Sequence, residues 1–406
     1  MERIKLSSIL LFILAVTFIM QVRISPSTTP YWLFGLIFLA LLLFLSIDII
    51  KIKENIYFKL KEALLWIIVV TIIGSAFGSS IIVRHQTAPV YQVHDIILQQ
   101  ESAIRFLLDG KNPYSATYFN TPLEEWHYSD TEINPALYHF VMEPFYLIFS
   151  LPFYFVSNHT IGYFDGRIPL LFLFLSTLLL TLFLIKDQEK RHLFIALFTF
   201  NPATVYYTLE GRSDIFMFAF LFAGLFLLCK QKYSLSGIPI ALAFAVKQSA
   251  WPLFPFYIAF LYFRTKSWMK TAQAIIPFVL VFAIIVAPFL LWNSKAFIDS
   301  TINYLSGSTQ HSYPIAGYGF GKLLNEFGFI KDVNAYYPFQ IWQAIIGVPL
   351  FTALVMYLKK SPQVSRLILV YGIFLFVYWY FSRYFHNSHL GYLSMLFLTA
   401  YFWPKE

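Results

Sequence analysis

Residues 235–263 read LSGIPIALAFAVKQSAWPLFPFYIAFLYF, an apolar run that charge interrupts once, at Lys247. Each side of Lys247 holds only about 13 to 14 residues, short of the roughly 20 that a helix needs to cross about 30 Å of hydrocarbon. Basic residues flank the run at both ends, Lys230 and Lys232 before it and Arg264, Lys266 and Lys270 after it. Lys and Arg accumulate in cytoplasmic loops, so both ends belong on that side and the run predicts a broken hairpin with Lys247 at its outer tip.

That hairpin fixes how the neighbouring segments are read. Apolar stretches near spanning length run over 6–22, 31–50, 62–83, 134–157, 168–185, 192–208, 214–229, 271–291, 339–358, 367–381 and 389–403. A full crossing by 134–157 would put Lys186, Lys190 and Arg191, then Lys230 with Lys232, then Arg264 to Lys270, on the outer side. Keeping 134–157 outside as a juxtamembrane or re-entrant helix returns all three clusters to the cytoplasmic side. The expected fold is therefore an all-α multi-pass membrane bundle of about ten transmembrane helices, with a broken helical hairpin and an outer juxtamembrane helix. Two outer loops follow, 84–167 and 292–338. Residues 1–61 read as two N-terminal transmembrane helices ahead of a main unit over 62–406.

Composition agrees. Of 406 residues, 58% are hydrophobic, 20% aromatic and only 12% charged, and mean hydropathy is +0.65. Soluble domains carry roughly 25% charge, and disordered chains lack apolar residues, so both classes are excluded. Net charge is +8; its placement makes it an orientation signal, and no nucleic-acid partner is needed to explain it. Cys229 is the single cysteine, so no internal disulfide framework exists. The first segment follows Arg3 and Lys5 without a clear small-residue cleavage pattern, and reads as an uncleaved anchor. There is no P-loop, Rossmann fingerprint, His-Glu-x-x-His or Gly-x-Ser-x-Gly. The alternation Gly317-Tyr318-Gly319-Phe320-Gly321 lacks strand-then-helix context and reads as a flexible aromatic loop.

With short basic inner loops, function is expected on the outer side. His94-Asp95 opens an amphipathic helix that runs to Asp109, with Gly110 as its C-cap. Asp95, Gln99, Ser102, Arg105 and Asp109 share one face, and Ile97, Ile104 and Leu108 another. Such a helix lies at the interface, apolar side in lipid and polar side toward a cavity, or else simply solvates its acids. Asn201-Pro202 interrupts one apolar segment, and Glu210-Gly211-Arg212-Ser213-Asp214 joins it to the next. Charges at that depth face a cavity or pair within the turn, as Arg212 with Asp214 or Glu210. Lys247 is placed to neutralise a phosphate at headgroup level, or to snorkel. Arg383, His386 and His389 recur at i, i+3 and i+6, an arginine fork beside titratable donors suited to a phosphate. As a metal site they lack a third ligand, so no metal is assigned. His311 is a weaker candidate in the second outer loop. Asn158-His159-Thr160 forms a sequon on the outer side.

In their order along the chain, His94-Asp95-Ile96, Asp109-Gly110-Lys111-Asn112-Pro113-Tyr114, Asn134-Pro135-Ala136, Asn201-Pro202 with Asp214, and Lys247 resemble the GT-C superfamily of membrane glycosyltransferases. The likeness is closest to its PimE-like family of polyprenyl-phosphate-mannose-dependent mannosyltransferases, and it covers the chain from about residue 62 onward. The resemblance implies Asp95 as general base. It implies Lys247 as the hairpin lysine and Arg383 with His386 near the donor phosphate; Arg212 is expected to join Lys247, Arg383 and His386 there, and His94, Arg105, Tyr114, Asp214 and His311 are expected to bind substrate. It implies a polyprenyl-phosphate sugar donor, a lipid or glycan acceptor in the bilayer, and an active site on the outer face of a cell membrane, with no cofactor. Asp95 has no acidic neighbour in an Asp-x-Asp pattern, which departs from metal-dependent relatives. Glu124, Glu125 and His127 are alternative bases on the same loop, and Trp126 and Tyr138, with Tyr114, are candidate sugar-stacking rings. A transporter or lipid flippase is the rival class, although no second half repeats the first.

Overall fold

The computed structural model describes residues 4–22, 30–88, 90, 92–127 and 133–405. The described chain is all-α apart from one two-residue strand pair. Helices α1 (Leu6–Val22), α2 (Tyr31–Ser46) and α3 (Glu54–Thr87) come first; α3 begins before residue 61, so the boundary drawn there lies inside it. Buried Asp48 and Lys61 pair at 2.8 Å, and Asp48 also accepts from Ser8 Oγ and Tyr57 Oη, which ties the three helices at one end. Their apolar residues join the same core as the rest of the bundle.

Helix α4 (Asp95–Leu108) follows α3 at the start of the segment expected as the first outer loop. It ends as its sequence predicts: Gly110 takes φ 72°, and the Lys111 N–H donates back to the Phe106 carbonyl at 2.8 Å. Its expected apolar contact with lipid is not what forms. Ile97 and Ile104 are fully buried, and only Leu108, at the far end, is exposed. The stretch expected as one helix over 134–157 divides into a 3-10 turn (Pro135–Leu137), an extended link, and α5 (Phe145–Ile161). The sequon falls within α5, where the Asn158 amide donates to the Tyr154 carbonyl.

Next come α6 (Arg167–Leu184), α7 (Gln188–Phe200), α8 (Pro202–Glu210) and α9 (Asp214–Cys229). Pro202 has no N–H to continue α7, and Asn201 caps α8 by accepting from the Ala203 N–H. Gly211 then ends α8 at φ 95°, and α8 and α9 meet at 114°. Helices α10 (Tyr233–Phe244) and α11 (Leu253–Thr265) flank the Lys247 break. Both pack on α12, and their side chains meet: Ser236 Oγ is 3.2 Å from Tyr257 Oη, and Phe244 sits edge-on to Phe254.

The chain continues through α12 (Trp268–Trp292), the short α13 (Ser294–Ile298), a π turn (Asp299–Asn303), α14 (Tyr304–Ser306), α15 (Phe320–Glu326), α16 (Phe339–Lys360), α17 (Val364–Tyr380) and α18 (Asn387–Phe402). Among the described residues, α3, α6, α12 and α16 are long and apolar enough to cross a membrane, and the bent pair α8 and α9 would make a fifth. Leu291 (83% exposed), Ile284 (72%) and Val348 (64%) on α12 and α16 show apolar faces of the kind lipid covers.

The glycine alternation near 317 is not a free loop. Ala316–Gly317 pairs in parallel with Tyr384–Phe385, and a Cβ on Gly317 would stand 2.0 Å from the Phe385 carbonyl oxygen. Gly317 also has φ 87°, so the strap against the start of α18 requires glycine there.

Candidate active site

A cavity of about 570 Å³ opens where the N-terminus of α4, the α8–α9 bend, the α10–α11 tip and the turn before α18 converge. Hydrogen bonds and tight packing fix the first two against each other. The His94 N–H donates to the Glu210 carbonyl at 2.7 Å, and a Cβ on Gly211 would stand 2.2 Å from Ile97 Cγ1. Asp95 therefore sits directly over the Arg212-Ser213-Asp214 connection.

Asp95 is 19% exposed, and its Oδ1 lies 2.6 Å from His94 Nδ1. Burial pushes its carboxyl up, but His94, nearby Asn134 and Arg212 outweigh burial and hold it below the usual carboxylate range. As the first residue of α4 it also meets the positive end of the helix dipole. Asp95 is thus ionised at neutral pH and able to accept a proton.

Across the cavity Lys247 Nζ pairs with Asp214 Oδ1 at 2.6 Å, with 25% and 14% of the two side chains exposed. Arg212 stacks on Tyr207 and reaches Glu210 Oε2 only at 3.5 Å through Nε. Among the described residues its two terminal nitrogens have no hydrogen-bond partner, which leaves a planar pair of donors on a side chain that lines the cavity. Trp251, Phe339, Phe374, Leu375 and Trp379 give the same cavity an apolar wall.

Two expected phosphate ligands are engaged otherwise. Arg383 lines the cavity, yet its guanidinium donates to the carbonyls of Tyr313, Ala335 (2.8 Å) and Val333 (2.9 Å), so it clamps the loop between α14 and α16. His386 accepts from the His389 backbone N–H and contacts Tyr313 Oη at 3.2 Å. Burial, then the positive fields of Arg212 and His94, pull its imidazole down to about 4, so at neutral pH it offers a hydrogen bond and no charge.

Of the sequence candidates, His94, Asp95, Arg212, Asp214, Lys247, Arg383 and His386 line this one cavity, whereas Arg105, Tyr114 and His311 do not. Arg105 lies about 15 Å along the helix from Asp95 at 1.5 Å per residue; it is exposed and reaches back to Ser102 Oγ. Tyr114 is 2% exposed: Asn112 Oδ1 accepts its N–H, and its ring turns inward against Phe297, with the hydroxyl on the Met142 carbonyl. His311 stacks flat on Tyr138 at 3.7 Å. Glu124, Glu125, His127, Trp126 and Tyr138 are also outside the lining.

Sequence reading missed Gln248, Trp251, Tyr304 and Tyr313, which the fold brings to the cavity. Gln248 was next to Lys247, but nothing in the sequence distinguishes it from any polar neighbour of a break. Among the described residues no three His, Cys, Asp or Glu side chains cluster closely enough to share an ion. Compared with models of known protein families and with curated proteins, the chain matches neither.

Proposed function

We propose that this protein is an inverting membrane glycosyltransferase that moves a sugar, probed first as mannose, from a polyprenyl-phosphate carrier to a hydroxyl of a lipid or glycan acceptor. In this reading the bundle crosses a cell membrane about ten times, α10 and α11 form a re-entrant hairpin, α4 and α5 lie at the outer surface, and the cavity faces outward. The supporting observation is one cavity in which an ionised carboxylate, Asp95, stands near a guanidinium, Arg212, that keeps two unengaged donors, beside an apolar wall.

The chemistry divides between those two groups. The acceptor O–H gives its proton to Asp95 while its oxygen bonds to the anomeric carbon. The anomeric carbon–oxygen bond to phosphate breaks on the opposite face, and its electron pair leaves with the lipid phosphate. Arg212, with Lys247, offsets the charge that grows there. The neutral His386 donates without charge, and Arg383 acts through the loop it clamps.

The 114° bend and the broken hairpin are also devices that carriers use at substrate sites. Purified protein incubated with radiolabelled mannose on a polyprenyl phosphate, a membrane lipid extract and, in parallel, sealed vesicles separates the two classes. Label appearing in a new glycolipid supports transfer; label crossing the vesicle wall still attached to its carrier sinks it in favour of transport.

A further inference from the structure

Behind the cavity wall, Glu143 is fully buried, and its Oε2 has no hydrogen-bond partner. Its Oε1 accepts from Gln248 Nε2 at 3.1 Å. The same Gln248 amide donates to the Val141 carbonyl at 2.8 Å and to the Thr301 carbonyl at 3.1 Å, so it links the hairpin tip to the 138–144 link and to the π turn. Two backbone bonds run beside it: Glu143 N–H to the Val246 carbonyl and Phe145 N–H to the Ala245 carbonyl. These satisfy carbonyls that the end of α10 would otherwise leave orphaned next to Lys247.

A buried carboxyl with an unpartnered oxygen is costly as an anion and far less so as a neutral acid. It belongs at this position only if what it holds matters. We propose that Glu143 is a positioning residue: through Gln248 it holds the α10–α11 tip in the register that aims Lys247 at Asp214 and into the cavity. This rests on the transferase reading only for the role of Lys247; the tether itself is independent of the reaction.

Burial pushes the Glu143 carboxyl up to about 8, against the Gln248 amide, which favours its ionised form. Few titratable groups face it. Tyr114 turns its ring toward it from the first outer loop, Lys247 is held by Asp214, and Asp299 of the π turn bonds Asn303 at 2.7 Å. The carboxyl stays protonated in the intact tether at neutral pH, whereas a loosened tip would release its proton in the ordinary carboxyl range, so the loosened state gains as pH rises from that range and levels off above about 8.

The test is the rate at which an amine-reactive reagent labels Lys247, followed by peptide mass spectrometry on the full chain in detergent. Gln248→Ala and Glu143→Ala should speed labelling several-fold, and Glu143→Gln should restore the wild-type rate. Compared with Glu143→Gln at each pH, so that the titration of the amine cancels, the wild-type rate should rise with pH up to about 8 and level off above it. In transfer assays Glu143→Ala should lower kcat about tenfold or more, as a misaimed charge does, with rescue by Glu143→Gln. Equal Lys247 labelling in wild type, Glu143→Ala and Gln248→Ala overturns the proposal, and if Glu143→Ala fails to fold, Gln248→Ala decides alone. The expected labelling without sugar transfer in any variant counts against the transferase reading and leaves the tether standing.

Discussion

Helix α4 carries two acids that meet positive charge in opposite ways. Glu101 faces Arg84 in a two-point pair at 2.8 Å on both oxygens, and Arg84 also reaches Asp165 at 2.8 Å, which Arg167 holds in turn at 2.7 Å. Arg84, Asp165 and Arg167 are at most 2% exposed, and the cluster closes on itself. Asp95, at the start of the same helix, keeps part of its surface in a cavity, beside an arginine whose terminal donors are unengaged. Ion pairs that saturate one another inside a bundle fix geometry; those left partly open to a cavity are available to a ligand. The first cluster seats α4 on α3 and α6, and the second uses the position that results.

This contrast breaks first at Arg84. Arg84→Ala leaves Glu101 buried without its partner and should cost about 3–5 kcal/mol, read as a large fall in melting temperature in detergent; an unchanged melting point would mean the closed cluster seats nothing. Arg212→Met sits on the other side of the comparison. It should leave melting nearly unmoved, yet weaken donor phosphate contact by about 1.5–3 kcal/mol, a roughly 10- to 100-fold loss in transfer kcat/KM. An equal loss in both readouts would move Arg212 into the structural class. Gly211→Ala links the two clusters, because its positive φ costs a Cβ-bearing residue about 1–2 kcal/mol and its Cβ would strike Ile97. Its expected effect is a modest drop in stability with a disproportionate drop in transfer, measured on the same preparation.

The sequence makes the break points plain because each breaks a local rule. Lys247 is a charge in an apolar run with basic flanks, Pro202 lacks an N–H, Gly211 stands in a charged turn, and Gly110 follows the last turn of α4. The all-α character follows from the same periodic apolar segments. Crossing number was less legible: α10, α11 and α17 are apolar but shorter than a span, so hydropathy alone cannot assign each a crossing.

Partnership across distance was not legible at all. Arg84 finds Glu101 and Asp165 over separations of 17 and 81 residues, and Arg383 spends its donors on carbonyls 48 to 70 residues away. A sequence shows that an arginine is present and not whether its fork is already filled. The same limit explains Tyr114, whose ring the Asn112 turn carries into the core, and the burial of Ile97 and Ile104 against protein.

The most direct measurement compares Asp95→Asn with wild type in two readouts: retention of a polyprenyl-phosphate sugar by the purified protein, and transfer of that sugar to an acceptor lipid. Loss of a general base predicts transfer reduced by roughly 10²- to 10⁴-fold with donor retention and melting unchanged. Transfer by Asp95→Asn at the wild-type rate would contradict the assignment of Asp95 as the group that takes the acceptor's proton.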